Sequence, residues 1–195
     1  MALSKDYQYI SREEYLEGEK ISQIKHEYIN GEVYAMAGAS KTHALIIMNL
    51  ASILRNHLRG SGCYPYSSDV KVHVESKNVY YYPDLVVTCD ERDREDDYVL
   101  FYPKLIVEVL SKTTEAFDRG NKFADYGQLE TLEEYVLISQ DIMRVESFRR
   151  NSEGQWVLYR FEEGDEIKLT SVNFSCSVSA IYEDVVFEAS KSSEN

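Results

Sequence analysis

The run Leu105-Ile106-Val107-Glu108-Val109-Leu110 constrains the fold more than any other segment of the chain. Apolar residues at both strand parities predict a strand covered on both faces, hence one at the centre of a sheet with layers on either side. Glu108 interrupts this run, and its carboxylate must leave water unless a partner or a metal receives it. A second acid, Asp84, interrupts another strand-like run after Tyr81-Tyr82-Pro83, 24 positions before Glu108, and Lys122 follows 14 positions after it in a helical stretch. Two such acids and a lysine point to a divalent-metal site with a general base or charge stabiliser beside it, the chemistry of phosphodiester cleavage.

The remaining pattern fills in a mixed α/β chain. Ser11-Arg12-Glu13-Glu14 has capping-box form and predicts a short helix to about Glu17, stopped by Gly18. Asn30-Gly31, flanked by residues 26–29 and 32–36, is the clearest hairpin signal because both residues reach positive φ readily. Ser40 predicts the cap of a second helix over Lys41 to Leu58, with Ile47, Leu50, Leu54 and Leu58 as its core stripe and Gly60 as its stop. A second hairpin is expected from Val70-Val72-Val74 into a returning strand, Val79 to Thr88, that carries Asp84. Residues 90–97 are all charged and read as a mobile loop. A helix over Phe117 to Leu129, a strand over Tyr135 to Ser139 and a hairpin of Arg144–Arg150 with Trp156–Phe161 complete the expectation.

At 195 residues and 44% hydrophobic, the chain is long enough to bury one substantial core, so a single domain over 1–189 with a disordered tail at 190–195 is expected. Cys63, Cys89 and Cys176 are odd in number and far apart, which indicates neither a disulfide framework nor a zinc site and favours a reducing cytoplasm. Met1 to Asp6 carries no apolar signal segment, and no apolar run is long enough to span a bilayer. A soluble protein without a membrane partner is therefore expected. The formal net charge of -13 argues against diffuse attraction to DNA, although a local basic patch or a bound metal still recruits phosphate.

The ordered set Tyr28-Ile29-Asn30-Gly31-Glu32-Val33-Tyr34-Ala35-Met36, His43, Pro83-Asp84-Leu85, Val107-Glu108-Val109-Leu110-Ser111, Asp118, Lys122 and Tyr126 resembles the Uma-two family of putative restriction endonucleases, within the PD-(D/E)xK nuclease-like superfamily. The resemblance spans roughly residues 10 to 185. It implies a restriction-endonuclease-like α/β core with a mixed central sheet, a DNA substrate, and Mg²⁺ or Mn²⁺ held by Asp84 and Glu108. It also implies that Lys122 supplies the lysine which the broader superfamily places two positions after the second acid, where this chain has Leu110. An unperturbed lysine is a poor base at neutral pH, so charge stabilisation is the expected role. The family pattern further suggests an N-terminal acid, for which Glu27, taken as lying across the hairpin from Glu32, is the candidate. His43 is a supporting residue, equally readable as a satisfied core histidine.

Ordinary explanations stand beside each of these. Asp84 reads as a turn residue after proline, Lys122 as half of a surface Asp118–Lys122 helix pair, and Tyr80, Tyr81 and Tyr82 as sheet packing rather than a base-stacking platform. Three functions are therefore carried forward: a metal-dependent endonuclease acting on DNA, a nuclease-fold nucleic-acid binder with weak or no turnover, and an oligomeric interaction protein whose buried acids are ion-paired. Simultaneous cutting of two strands needs two sites, and twofold pairing is the commonest symmetry, so a homodimer is expected.

Overall fold

The computed structural model describes residues 9–187; the expected tail at 190–195 and the Met1 to Asp6 segment lie outside the described residues. Helix α1 (Arg12–Ile21) begins with the reciprocal capping box of Ser11 and Glu14 and runs through Gly18, which a single glycine in a capped helix permits at modest cost. Strands β1 (His26–Ile29) and β2 (Glu32–Ala35) form the expected hairpin, with Asn30 and Gly31 at φ 49° and 97°. Their register pairs Glu27 with Tyr34, not with Glu32, because the two-residue turn places Ile29 opposite Glu32.

Helix α2 (Lys41–His57) is capped by Ser40, and its fully buried row is Ile46, Leu50, Leu54 and Leu58, with Ile47 at the margin. Strands β3 (Tyr64–Ser67), β4 (Lys71–Val74), β5 (Val79–Tyr81) and β6 (Leu85–Thr88) follow. The expected single strand from Val79 to Thr88 is two strands in two different sheets. Pro83 has no N–H to give to a ladder, so the chain leaves one sheet at Tyr82 and enters the next at Leu85, with Asp84 at the crossing. Residues 90–97 are also ordered: Asp93 is buried and accepts hydrogen bonds from the Thr88 hydroxyl at 2.5 Å and from the N–H groups of Phe101 and Tyr102 at 2.7 and 3.1 Å.

After β7 (Val99–Leu100), strand β8 (Pro103–Leu110) runs centrally as expected, antiparallel to β6 and parallel to β9 (Glu134–Ser139). Between β8 and β9 the helical segment is broken into α3 (Glu115–Phe117), a π-helical turn (Asp118–Lys122) and α4 (Phe123–Tyr126). Strands β10 (Arg144–Arg150) and β11 (Trp156–Glu162) form the last expected hairpin. A further hairpin, β12 (Glu166–Leu169) with β13 (Phe174–Ser177), and the short α5 (Val178–Ile181) were not expected.

The six-stranded sheet has the order β11-β10-β9-β8-β6-β3, and a five-stranded sheet has the order β2-β1-β5-β4-β7. On one face of the larger sheet, Leu85, Val87, Leu105, Val107 and Val109 pack against α2, β12, β13 and α5. On the other, Val86, Ile106 and Leu110 pack against Val72, Val79, Tyr81 and Tyr126. Strand parity therefore puts Glu108, between Ile106 and Leu110, on the face that meets the broken helix.

The cysteine expectation fails. Cys63 and Cys89 form a disulfide, and only Cys176 is free among the described residues. The β3–β6 register pairs Tyr64 with Thr88, so Cys63 and Cys89 stand at the next rung, a proximity that sequence separation of 26 conceals. The bond removes the cysteine-based premise for a reducing cytoplasm. Among the described residues, no helix is long and apolar enough to cross a membrane.

Candidate active site

Five residues singled out from sequence converge where the two sheets meet. Asp84 sits at the crossing between them, Glu108 on the central strand, Lys122 at the end of the π turn, Glu27 on β1 and His43 in the first turn of α2. Lys122 Nζ lies 2.9 Å from Glu108 Oε1, 3.1 Å from Glu27 Oε1 and 3.9 Å from Asp118. The Asp84 backbone N–H donates to Glu108 Oε2 at 3.3 Å, and Asp84 Oδ2 accepts from the Val109 N–H at 2.7 Å. The two acids are thus locked to each other's strands. His43 Nε2 lies 3.0 Å from Asp84 Oδ1, which ties α2 to the same cluster.

The broken helix explains how Lys122 arrives there. One face of the π turn sends Lys122 inward to Glu108, while Arg119 on the same turn reaches Glu146 of β10 at 2.5 Å. The Asp118 carbonyl accepts from the Tyr135 hydroxyl at 2.9 Å, which holds the turn against the sheet. Tyr126, one turn on, approaches Glu108 with its hydroxyl at 3.5 Å. Lys122 and Glu108 are both buried, so the surface-pair reading of Asp118–Lys122 does not hold.

Burial lifts the Glu108 carboxyl well above the usual carboxylate range, and the neighbouring Asp84 and Asp118 add to that rise against the pull of Lys122. Asp118 is raised for the same first reason. Burial would lower Lys122, but the facing Glu108, Glu27 and Asp118 outweigh it, so its ammonium stays charged. The cluster holds four carboxyl groups, from Glu27, Asp84, Glu108 and Asp118, around one charged ammonium and one imidazole. That excess of hard oxygen donors over cationic partners, with burial opposing the ionisation of Glu108, fits a divalent cation that would take the place of its proton. Among the described residues no three acid, histidine or cysteine side chains form a ready cage for one, so Asp84 and Glu108 would provide two anchors and leave the remaining positions to water or phosphate.

Asp69, just before β4, lies outside the cluster and pairs with Lys25 at 2.5 Å on the surface. Tyr80, Tyr81 and Tyr82 are buried, as packing residues rather than a stacking platform. Sequence reasoning missed the cavity of about 730 Å³ beside Glu27, walled by Tyr34, Phe117 and Asn121 among others. The β1–β2 turn held the signal, because a two-residue loop fixes Tyr34 opposite Glu27.

Comparison with known proteins follows the same outline. The Uma2 family model, described as "Putative restriction endonuclease", matches residues 12–179. The chain belongs to the Uma2 family. Two Synechocystis sp. proteins, slr1290 and sll1609, each described as an uncharacterized protein, are 39% identical over 91% of this chain and 94% of theirs, and 34% identical over 74% and 83%. The crystal structure of a putative nuclease belonging to DUF820 from Anabaena variabilis superposes with a TM-score of 0.73 at 16% identity, covering 89% of this chain and 97% of that one. This Uma2 chain therefore has the restriction-endonuclease-like nuclease fold, in agreement with the mixed α/β expectation.

Proposed function

We propose that this Uma2 protein is a metal-dependent endonuclease that hydrolyses phosphodiester bonds in DNA, with Asp84 and Glu108 holding Mg²⁺ or Mn²⁺ and Lys122 acting on the phosphate. The observation that carries the reading is the convergence of three acid side chains on the single ammonium of Lys122, with Asp84 bonded to one of them through its N–H. When bound there, the metal would supply charge neutralisation at the phosphate and acidify its water ligands. Asp84 and Glu108 anchor; their positions are fixed by the Asp84 and Val109 N–H groups rather than by flexible surface contacts. Lys122 keeps its proton, because three carboxylates hold it charged, and so acts as an electrostatic stabiliser of the developing phosphorane rather than as a base. Glu27 and Asp118 keep the ammonium aimed into the cluster, and His43 orients Asp84.

The decisive experiment is cleavage of supercoiled plasmid in Mg²⁺ or Mn²⁺ by the wild type, Asp84→Ala and Glu108→Ala. Metal-dependent nicking that both substitutions remove supports the assignment; nicking that survives in both means a contaminating nuclease, and none in the wild type removes it. The lysine displaced from its superfamily place, where this chain has Leu110, favours one second reading, a nuclease-fold protein that binds nucleic acid without efficient turnover. Retention of DNA in Ca²⁺ without cutting in Mg²⁺ would select it. We also propose a homodimer, since two strands cut at once need two sites, and sedimentation velocity at micromolar protein reads this directly.

A further inference from the structure

We propose that the cavity beside Glu27 is a subsite for one unstacked nucleotide of the substrate strand, so that the protein acts on single-stranded or bulged nucleic acid in preference to a fully paired duplex. This rests on the hydrolytic reading above and names its substrate class. The β1–β2 register sets Tyr34 directly across from Glu27, on the same face of the hairpin, so an aromatic ring stands next to the acid that grips Lys122. Phe117 supplies a second ring, held edge-on to Tyr81 at a centroid distance of 5.9 Å, and Ile29 closes the apolar wall. Asn121, the residue before Lys122, is exposed and adds an amide able to donate and accept on a base edge. Among the described residues, Lys77 is the only cation lining the cavity.

Size and charge select the ligand. A cavity of about 730 Å³ lies in the range of pockets for small molecules and nucleotides, and a base pair within a stacked helix cannot enter it. With a net charge of -13 and one lysine in the lining, the site cannot gain its grip by tracking many phosphates of a duplex. Aromatic stacking and an amide on a base edge do not need that field. A nucleotide seated between Tyr34 and Phe117 would bring its adjoining phosphate to the Glu27 edge of the cavity, the acid that links it to Lys122 and through Lys122 to Glu108.

The test uses the full chain with fluorescein-labelled DNA oligonucleotides of equal length: single-stranded, fully paired, and paired with a one-nucleotide bulge. Anisotropy in Ca²⁺ reads binding, and gel assays in Mg²⁺ or Mn²⁺ read cleavage. Single-stranded and bulged probes should bind about tenfold tighter than the matched duplex, and Phe117→Leu, which keeps apolar volume but removes the ring, should erase most of that difference. Asn121→Ala, at an exposed position that does not disturb the core, should weaken the same two probes by a smaller factor and leave the duplex unchanged. Equal affinity for all three probes, or a preference that both variants leave intact, overturns the proposal. If no probe is cut but the preference disappears in Phe117→Leu, the subsite stands and the hydrolytic reading falls. If cleavage depends on Asp84 and Glu108 yet ignores both cavity variants, the reverse holds.

Discussion

Glu108 and Glu134 are both buried glutamates on adjacent strands of the six-stranded sheet, yet their surroundings are opposite. Every acceptor position of Glu134 is used: Oε1 takes the Ser147 hydroxyl at 2.5 Å and Arg149 Nε at 2.9 Å, and Oε2 takes the Ser171 N–H and hydroxyl at 3.1 and 2.8 Å. Glu108 shares one ammonium with Glu27 and Asp118, and its Oε2 receives only a long bond from the Asp84 N–H at 3.3 Å. A buried acid alone does not mark a functional site. What distinguishes Glu108 is that its folded environment leaves its oxygens incompletely satisfied, while that of Glu134 fills every acceptor position.

The largest effect should come from removing the satisfied acid. Glu134→Ala strands the buried Ser147 hydroxyl and takes the carboxylate from the partly buried Arg149 and Ser171, and should lower the free energy of unfolding by about 3 to 5 kcal/mol. Urea titration measures this, and a loss below about 1 kcal/mol would erase the contrast with Glu108. Glu108→Gln should instead leave the metal-free protein about as stable as before or more so, since Lys122 retains Glu27 and Asp118.

For activity the order reverses. Asp84→Ala and Glu108→Ala should each cut metal-dependent cleavage by roughly 10² to 10³-fold, the usual scale for losing one group that stabilises transition-state charge. Glu134→Ala, corrected for its folded fraction, should keep the wild-type rate. Equal losses for Glu108→Ala and Glu134→Ala would mean that both act only through stability.

How much of this was legible in the sequence divides along the same line. Local signals carried through: the Asn30-Gly31 turn, the caps at Ser11 and Ser40 and the central run 105–110 each fix short-range structure by backbone chemistry. The convergence of Asp84, Glu108, Lys122, Glu27 and His43 was foreseen only with the help of the family resemblance, because spacing alone does not say which sheet face a residue takes. Pro83 was a readable sign that Val79 to Thr88 could not be one strand, and Asn173 between alternating segments was a sign of the β12–β13 hairpin. The Cys63–Cys89 bond and the π turn were not readable, since one depends on a pairing between distant strands and the other on how the helix docks against Tyr135. Asp93 misled as one acid among many; its role depends on the N–H groups of Phe101 and Tyr102 meeting it from across a loop.

Acid titration adds a third case to the comparison. Burial would lift the Glu146 carboxyl, but Arg119 and Arg160 outweigh it and hold it below the ordinary value of 4.5. Its folded pKa is depressed, so its stabilisation is present above pH 4.5 and is lost as the pH falls through the folded value. Burial lowers His73, stacked on Tyr80 at 4.1 Å, to about 4, so the native state holds it neutral. Stability from that source is intact above 6.5 and falls as the pH drops from 6.5 towards about 4. Unfolding free energies across this range should decline more steeply in the wild type than in His73→Phe between pH 6.5 and 4, and more steeply than in Glu146→Gln below 4.5. Parallel curves for wild type and variants would show that neither group is differentially protonated.

The smallest effect sets the scale for the others. Glu17 also faces a lysine, Lys20 at 2.5 Å, but both side chains are more than half exposed on α1, at 71% and 60%. Water screens that pair and both partners solvate readily when separated, so Glu17→Ala should cost only about 0.3 to 0.5 kcal/mol. The three glutamates Glu17, Glu108 and Glu134 share a chemical group and a cationic neighbour and differ in depth and in how fully their oxygens are occupied. If Glu17→Ala approached the cost of Glu134→Ala in the same urea series, burial and acceptor occupancy would not be the controlling variables, and the incomplete satisfaction of Glu108 would lose its meaning as a mark of function.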